Sequence, residues 1–199
     1  SDSANFGGRA SFEITKWADD NHTHALIRFP GLSNLPAGAT VSASSINLYC
    51  NNRNTGSRTA TAKRLLRNWV EGTQDGGAWS NDATWVYYAA SVWSTYGGLS
   101  DGNDRSSTAS GTMTMDGTGY KSVTGSQLNT DIQNIAAGSV NNYGWHLERT
   151  DGSNDNTYDV FTSSEGTDGQ RPYLSVTYTE SGGSSLPAII NNYRQQGVM

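Results

Sequence analysis

The sequence predicts an all-β protein, an antiparallel β-sandwich carrying one short helix near residues 126–137. Three observations lead there. Gly, Ser, Thr and Asn make up 87 of the 199 residues, a turn-rich composition. Aromatic and β-branched residues recur in short alternating runs between clusters of Gly, Asn, Asp and Ser. Ala, Leu, Glu and Lys are too scarce for long helices.

In chain order, period-2 alternation marks strands near 9–17, 23–29, 41–50, 59–66, 84–89, 112–116, 119–124, 143–149, 158–163 and 172–179. The run 41–50 sets Ile46, Leu48 and Cys50 on one face. Cys50 is the lone cysteine, so it is read as a buried core thiol and no internal disulfide is available. Residues 93–110 form the longest irregular stretch, a length typical of functional or ion-binding loops. Over 126–138, Leu128, Ile132 and Ile135 fall at helical spacing, with Ser126 placed to cap and Gly138 to stop the helix. The composition shifts after Tyr178. Ser181-Gly-Gly-Ser-Ser185 reads as a flexible linker, and 186–199 regains apolar residues. The expected division is a domain at 1–180 and a tail at 181–199.

Charge narrows the function classes. A net charge of −5 with no Lys/Arg-dense segment argues against nucleic acid. No run of 18 apolar residues exists, so no membrane insertion is expected. The chain starts at Ser1 without a basic-then-apolar leader, which reads as a processed start or the inside of a longer chain. Gly-x-Ser-x-Gly and His-Glu-x-x-His do not occur, so no enzyme is expected.

The aromatic residues are the strongest binding candidates, because sugar rings stack their C–H faces on Trp and Tyr. Trp69, Trp85 and Trp145 sit beside apolar strand residues and are assigned to the core. Trp79, Trp93 and Tyr96 lie among Gly, Ser and Asn and are candidates for ligand contact, against the large core residues that a sandwich of few hydrophobes also needs. Arg58, Lys63, Arg64 and Arg67 form the densest basic run. Arg58, Lys63 and Arg67 are candidates for uronate carboxylates, against ordinary surface charge as the alternative. Carboxylates cluster twice, at Asp101 with Asp104 and at Asp151 with Asp155. Oxygen ligands on loops suit a structural Ca²⁺, although the EF-hand spacing is absent and Asx-rich turns explain the same pattern. His22 and His24, near Asp19 and Asp20, suggest a metal site or simply a turn leading into a strand. His146 alternates with Trp145 and Leu147 and should point to solvent. Asn21-His22-Thr23 is a formal glycosylation sequon of little weight in an Asn- and Thr-rich chain. In the tail, Ile189, Ile190 and Tyr193 would be exposed unless they dock on a partner; a frayed terminus is the alternative.

An ordered set of blocks then resembles a known family. Asn5-Phe6-Gly7 comes first, followed by residues 25–49, close to "LLRFDLS-LPAGATVTSATLRLY". Next come Arg67-Asn68-Trp69, Ala83-Thr84-Trp85, residues 93–98, Asn142-Tyr143-Gly144-Trp145, residues 161–165 and residues 171–178. Across residues 5–178 the chain resembles the DNRLRE domain, related to carbohydrate-binding module family 96 and to disaggregatase-related repeats. The resemblance implies a jelly-roll-like sandwich found in extracellular bacterial, archaeal and phage proteins. It implies a binding or structural module without catalysis, with acidic polysaccharides among the ligands of some relatives. Two departures stand out. The strand that usually precedes Asn-Phe-Gly is nearly absent, which predicts an open sheet edge filled by another chain, or a fragment. The tail also lies outside the family pattern.

The expectation is therefore a non-catalytic module, extracellular or on a virion surface, that binds a glycan or polysaccharide. The alternative is a structural subunit of a virion or cell-surface layer, held to sister subunits or a scaffold protein through residues 186–199.

Overall fold

Two faces of one sheet system have to be buried, and the chain buries them with different material. In the computed structural model, residues 3–16, 22–36, 38–151, 157–180, 185–190 and 194–198 are described. The strands are β1 (Ala4–Asn5), β2 (Ser11–Lys16), β3 (His22–Arg28), β4 (Thr40–Arg53), β5 (Arg58–Leu65), β6 (Gly77–Ala78) and β7 (Arg105–Met115). After these come β8 (Gly119–Val123), the helix α1 (Ser126–Ala136), β9 (Trp145–Arg149), β10 (Thr157–Thr162), β11 (Tyr173–Thr179), β12 (Ser185–Ile190) and β13 (Arg194–Val198). All named pairings are antiparallel, and the fold is an all-β, sandwich-like architecture with one short helix.

Strand β4 organises the first sheet. Its first half pairs with β11 and its last residues with β10, so β10 and β11 follow one another along the same edge. Strand β8 lies on its other side, Ile46 opposite Val123. Strand β2 continues beyond β10. The second sheet runs β3-β9-β5-β7. The β2–β3 corner joins the sheets through Thr15↔Thr23 and Lys16↔His22. Thr15 and Thr23 also share a buried hydroxyl hydrogen bond of 2.7 Å there.

Between the sheets lies the main core: Phe12, Ile14, Ile27, Phe29, Ile46, Leu48, Met113, Trp145, Leu147, Phe161 and Leu174, among others. Cys50 is part of it at 1% exposure, and burial pushes its thiol pKa up, so it acts as packing. Helix α1 closes one end by burying Leu128, Ile132 and Ile135. It starts at the expected residue without a side-chain cap and stops at Gly138, whose φ of 70° suits the left-handed turn.

Three expectations change. Residues 84–89 form no strand but belong to a long covering loop, 66–104, where Tyr87 and Val92 make an isolated bridge. The irregular stretch ends at Asp104, since β7 begins at Arg105 and not near 112. The tail runs on the chain's own sheets: β12 pairs with β11, and β13 lies along β3 from Arg194↔Arg28 to Val198↔His24. Strand β13 thus takes up the edge of β3 beyond the point where β2 leaves it. Ile190 packs partly on the main core, and Ile189 stays exposed. Tyr193 lies outside the described residues, as do Asp19, Asp20, Asn21 and Asp155. Among the described residues no helix is long and apolar enough to cross a membrane.

The motif Asn5-Phe6-Gly7 has a local explanation. Asn5 is fully buried, and its amide makes four bonds. Its Nδ2 donates to the carbonyls of Glu71 (2.7 Å) and Ala83 (2.9 Å), and its Oδ1 accepts from the N–H groups of Gly7 and Gln74 (3.1 Å each). A Cβ on Gly7 would meet the Glu71 carbonyl oxygen at 2.4 Å. The N-terminus is therefore a pin for the covering loop. Asn5→Ala should cost about 3 kcal/mol, because it strands several buried backbone groups at once. Equilibrium urea unfolding measures this, and a loss under 1 kcal/mol would refute the pin.

Candidate binding surface on the covering loop

The second sheet is buried on its outer face as well. Leu26 and Leu65 point outward from β3 and β5 and pack with Trp69, Ala83 and Trp93 of the loop. Trp85, Tyr88 and Tyr143 lean on this second cluster. Each buried indole has an acceptor: Trp69 Nε1 donates to the Tyr143 carbonyl (2.7 Å), Trp93 Nε1 to that of Thr84 (3.0 Å). Gly97 sits flat on Trp85, with φ 74° and a Cβ position 2.6 Å from the ring, so only glycine fits.

Buried carboxylates hold the loop's shape. Asp104, fully buried, accepts from the N–H groups of Ser94 (2.9 Å) and Thr95 (3.0 Å) and pairs with Arg67 (3.4 Å). Asp82, also buried, accepts from the N–H and hydroxyl of Ser80. A long loop is thereby fixed by specific bonds.

On its solvent side the loop presents aromatic and apolar groups. Trp79 is half-buried and stacks on Tyr87, ring centroids 4.3 Å apart at 23°. Val92 stands across the bridge from Tyr87 and is exposed. Val70 is also exposed, its N–H bonded to the Tyr88 carbonyl. Tyr96 is 58% exposed. Arg67 donates to Ser94 Oγ (3.0 Å) and lies 5.8 Å from the Tyr88 ring centre, half exposed.

The predicted residues divide. Trp79, Tyr96, Arg67 and Lys63 lie on or beside the loop. Trp93 is a correction: at 3% exposure it is core, because the outer face of the sheet needed a large apolar cover. Arg58 is another: it is buried and pairs with the fully buried Asp159 (3.2 Å), which Arg53 also reaches (3.0 Å). Neither can meet a ligand at the surface. Asp101 accepts from Lys63 (2.7 Å) and Arg105 (2.8 Å), and Asp151 from Arg149 (2.7 Å). These carboxylates, like Asp104, are engaged by protein donors.

Sequence reasoning missed Val70 and Val92. It also missed a cluster on the outer face of the first sheet. There Tyr120 meets Tyr49 and Tyr173 edge-to-face at 5.2 and 5.3 Å. Its signal was present, since Ile46, Leu48 and Cys50 facing inward put Tyr49 outward.

His146 is a further correction. It is fully buried, because the loop covers the face that alternation assigns to solvent. Its Nε2 lies 3.0 Å from His24 Nδ1. Arg105 donates to His146 Nδ1 (3.0 Å) and pairs with Glu148 (2.8 Å). Arg105 as donor makes His146 Nδ1 an acceptor, so Nε2 carries the proton and gives it to His24. Among the described residues, His24, His146 and Glu148 bring their ligand atoms within 4.8 Å of one another. Trp85 lies edge-on to His24 at 5.3 Å and helps to cover it. Burial first, then the charges of His22 and Arg105, lowers the His24 pKa from 6.5 to about 3. Burial, His24 and Arg105 also hold His146 well below its ordinary value.

No family model, curated protein or solved structure matches this chain.

Because the folded pKa of His24 is depressed, the unfolded chain takes up the proton first as pH falls. Stability is complete above pH 6.5 and declines below it, by about 1.4 kcal/mol per unit from His24 alone down to about pH 3. Urea unfolding between pH 7.5 and 5 with chelator present should show this slope, reduced in His24→Gln. Equal slopes in both proteins would refute the assignment.

Proposed function

We propose that the protein is a non-catalytic, extracellular carbohydrate-binding module whose ligand lies on the solvent side of loop 66–104. The observation that carries the reading is the Trp79–Tyr87 stack beside exposed Val92, on a loop fixed from beneath by Asn5, Asp82 and Asp104. Stacked rings on a fixed backbone form a low-entropy platform for a sugar face. Tyr96 and the half-exposed Arg67 extend it, and Arg67 gives it an attraction for uronate carboxylates. The resemblance to family 96 modules supports the same class.

The test is a glycan array followed by affinity measurement on an acidic polysaccharide such as alginate. Trp79→Ala and Tyr96→Ala should each weaken binding at least tenfold while Tm moves by less than about 4 °C, as for surface changes. Trp93→Ala should instead unfold or strongly destabilise the chain, by about 3–5 kcal/mol. Arg67→Ala should weaken uronate-containing glycans more than neutral ones. Unchanged affinity in Trp79→Ala and Tyr96→Ala would remove the reading.

A structural subunit is the second reading, favoured by the pairing of β12 and β13 on two sheet edges. The same register made by the tail of a second copy would link subunits by strand exchange. Light scattering of the full chain and of a chain ending at Ser184 decides it: oligomers lost on truncation support it, and a monomer in both rejects it.

A further inference from the structure

The chain has three histidines: His24 and His146 meet on the outer face of β3 and β9, and His22 flanks His24 on β3. We propose that His22, His24 and His146 form a site for a divalent transition metal of the zinc type, with Glu148 orienting His146. The site is independent of the glycan reading.

His24 and His146 point ring nitrogens at each other, Nδ1 to Nε2, at 3.0 Å, with ring centres 4.9 Å apart. His22 follows at i−2 on the same face of β3, its ring centre 6.1 Å from that of His24. A second observation points to a ligand. The Nδ1 atom of His22 is buried and has no hydrogen-bond partner among the described residues. A buried ring nitrogen without a partner costs stability unless something takes its lone pair. At Zn–N distances of roughly 2.0–2.1 Å, a tetrahedral ion holds two nitrogens about 3.3 Å apart, so the His24–His146 pair has to open by about 0.3 Å and turn both rings so that their lone pairs converge on the ion.

The surroundings fit a cation despite Arg105. Arg105 and Lys63 are balanced by Asp101 and Glu148, so the four charges cancel locally and the imidazoles meet the ion in a neutral setting. To bind through Nε2, His146 moves its proton to Nδ1, and Glu148, two residues along β9 on the same face and bridged to Nδ1 by Arg105 Nη1, closes onto it as the acceptor. Arg105 then gives up His146 and keeps Asp101. No proton is released, because the histidine changes tautomer only. The result is the carboxylate–histidine–metal arrangement that fixes ligand orientation. Imidazole donors select zinc, cobalt, nickel or copper over calcium, which prefers oxygen cages.

The experiment uses the full chain, stripped with chelator and dialysed. Zinc chloride titrated by calorimetry should bind one ion per chain at micromolar or lower Kd and raise Tm; calcium chloride should do neither. Cobalt(II) should give the visible absorption bands of a tetrahedral nitrogen-rich site. His24→Gln and His146→Gln should lose at least tenfold in zinc affinity. Since both residues are buried and these variants can misfold, His22→Gln at the half-buried position is the deciding variant. Its circular dichroism should stay native while zinc affinity falls at least tenfold and the cobalt bands change. Zinc binding weaker than millimolar in the native protein, or unchanged zinc affinity in folded His22→Gln, would overturn the site.

Discussion

The structure depends on the sheet β3-β9-β5 being buried on both faces. Its inner face meets the main core through Ala25, Ile27, Ala60, Ala62, Trp145 and Leu147. Its outer face carries Leu26 and Leu65, which exposure would leave as an apolar patch on an otherwise polar molecule. A helix would be the usual cover, but this composition does not support a second helix. The cover is irregular loop instead, and an irregular loop brings backbone groups that water no longer reaches. Asn5, Asp82 and Asp104 satisfy them, which is why residues so far apart in sequence behave as one local unit.

The same constraint explains the polar groups beneath the loop. Once the outer face is closed, every polar residue that alternation put there must be paired or neutral. Arg105 is paired with Asp101 and Glu148, and His24 and His146 stay neutral and bond to each other. Such a network contributes less to net stability than apolar packing of the same volume would. Its position next to the unpartnered His22 nitrogen is the reason to look for a function in it.

Most of the fold was legible because a half-buried strand writes its burial at period 2. Ile46-Leu48-Cys50, Trp145-Leu147 and Leu128-Ile132-Ile135 all face the core as their spacing says. The candidate site was far less legible, for a physical reason. Alternation identifies one buried face and cannot reveal that a distant segment covers the other. That single gap turned His146 inward and moved Trp93 from the ligand candidates into the core. Arg58 has a different cause: its partner Asp159 is 101 residues away, and pairing of that range has no local signature. Tyr96 lies exposed as its glycine- and serine-rich surroundings suggest, and Trp79 is half-buried.

Strand β3 ties the C-terminal strand to this surface. Residues 24–28 of β3 pair with β13 along one edge, and residues 25–27 pair with β9 along the other. His24 and Leu26 of the same segment form part of the floor beneath the loop. Strand β13 therefore supplies hydrogen bonds that would otherwise be missing from an edge whose apolar residues Ala25, Leu26 and Ile27 are fully buried. Whichever copy of the chain supplies that strand, its pairing sets the order of the floor on which Trp69, Trp85 and Trp93 rest. Strand pairing and the packing beneath the aromatic surface thus share one strand, β3.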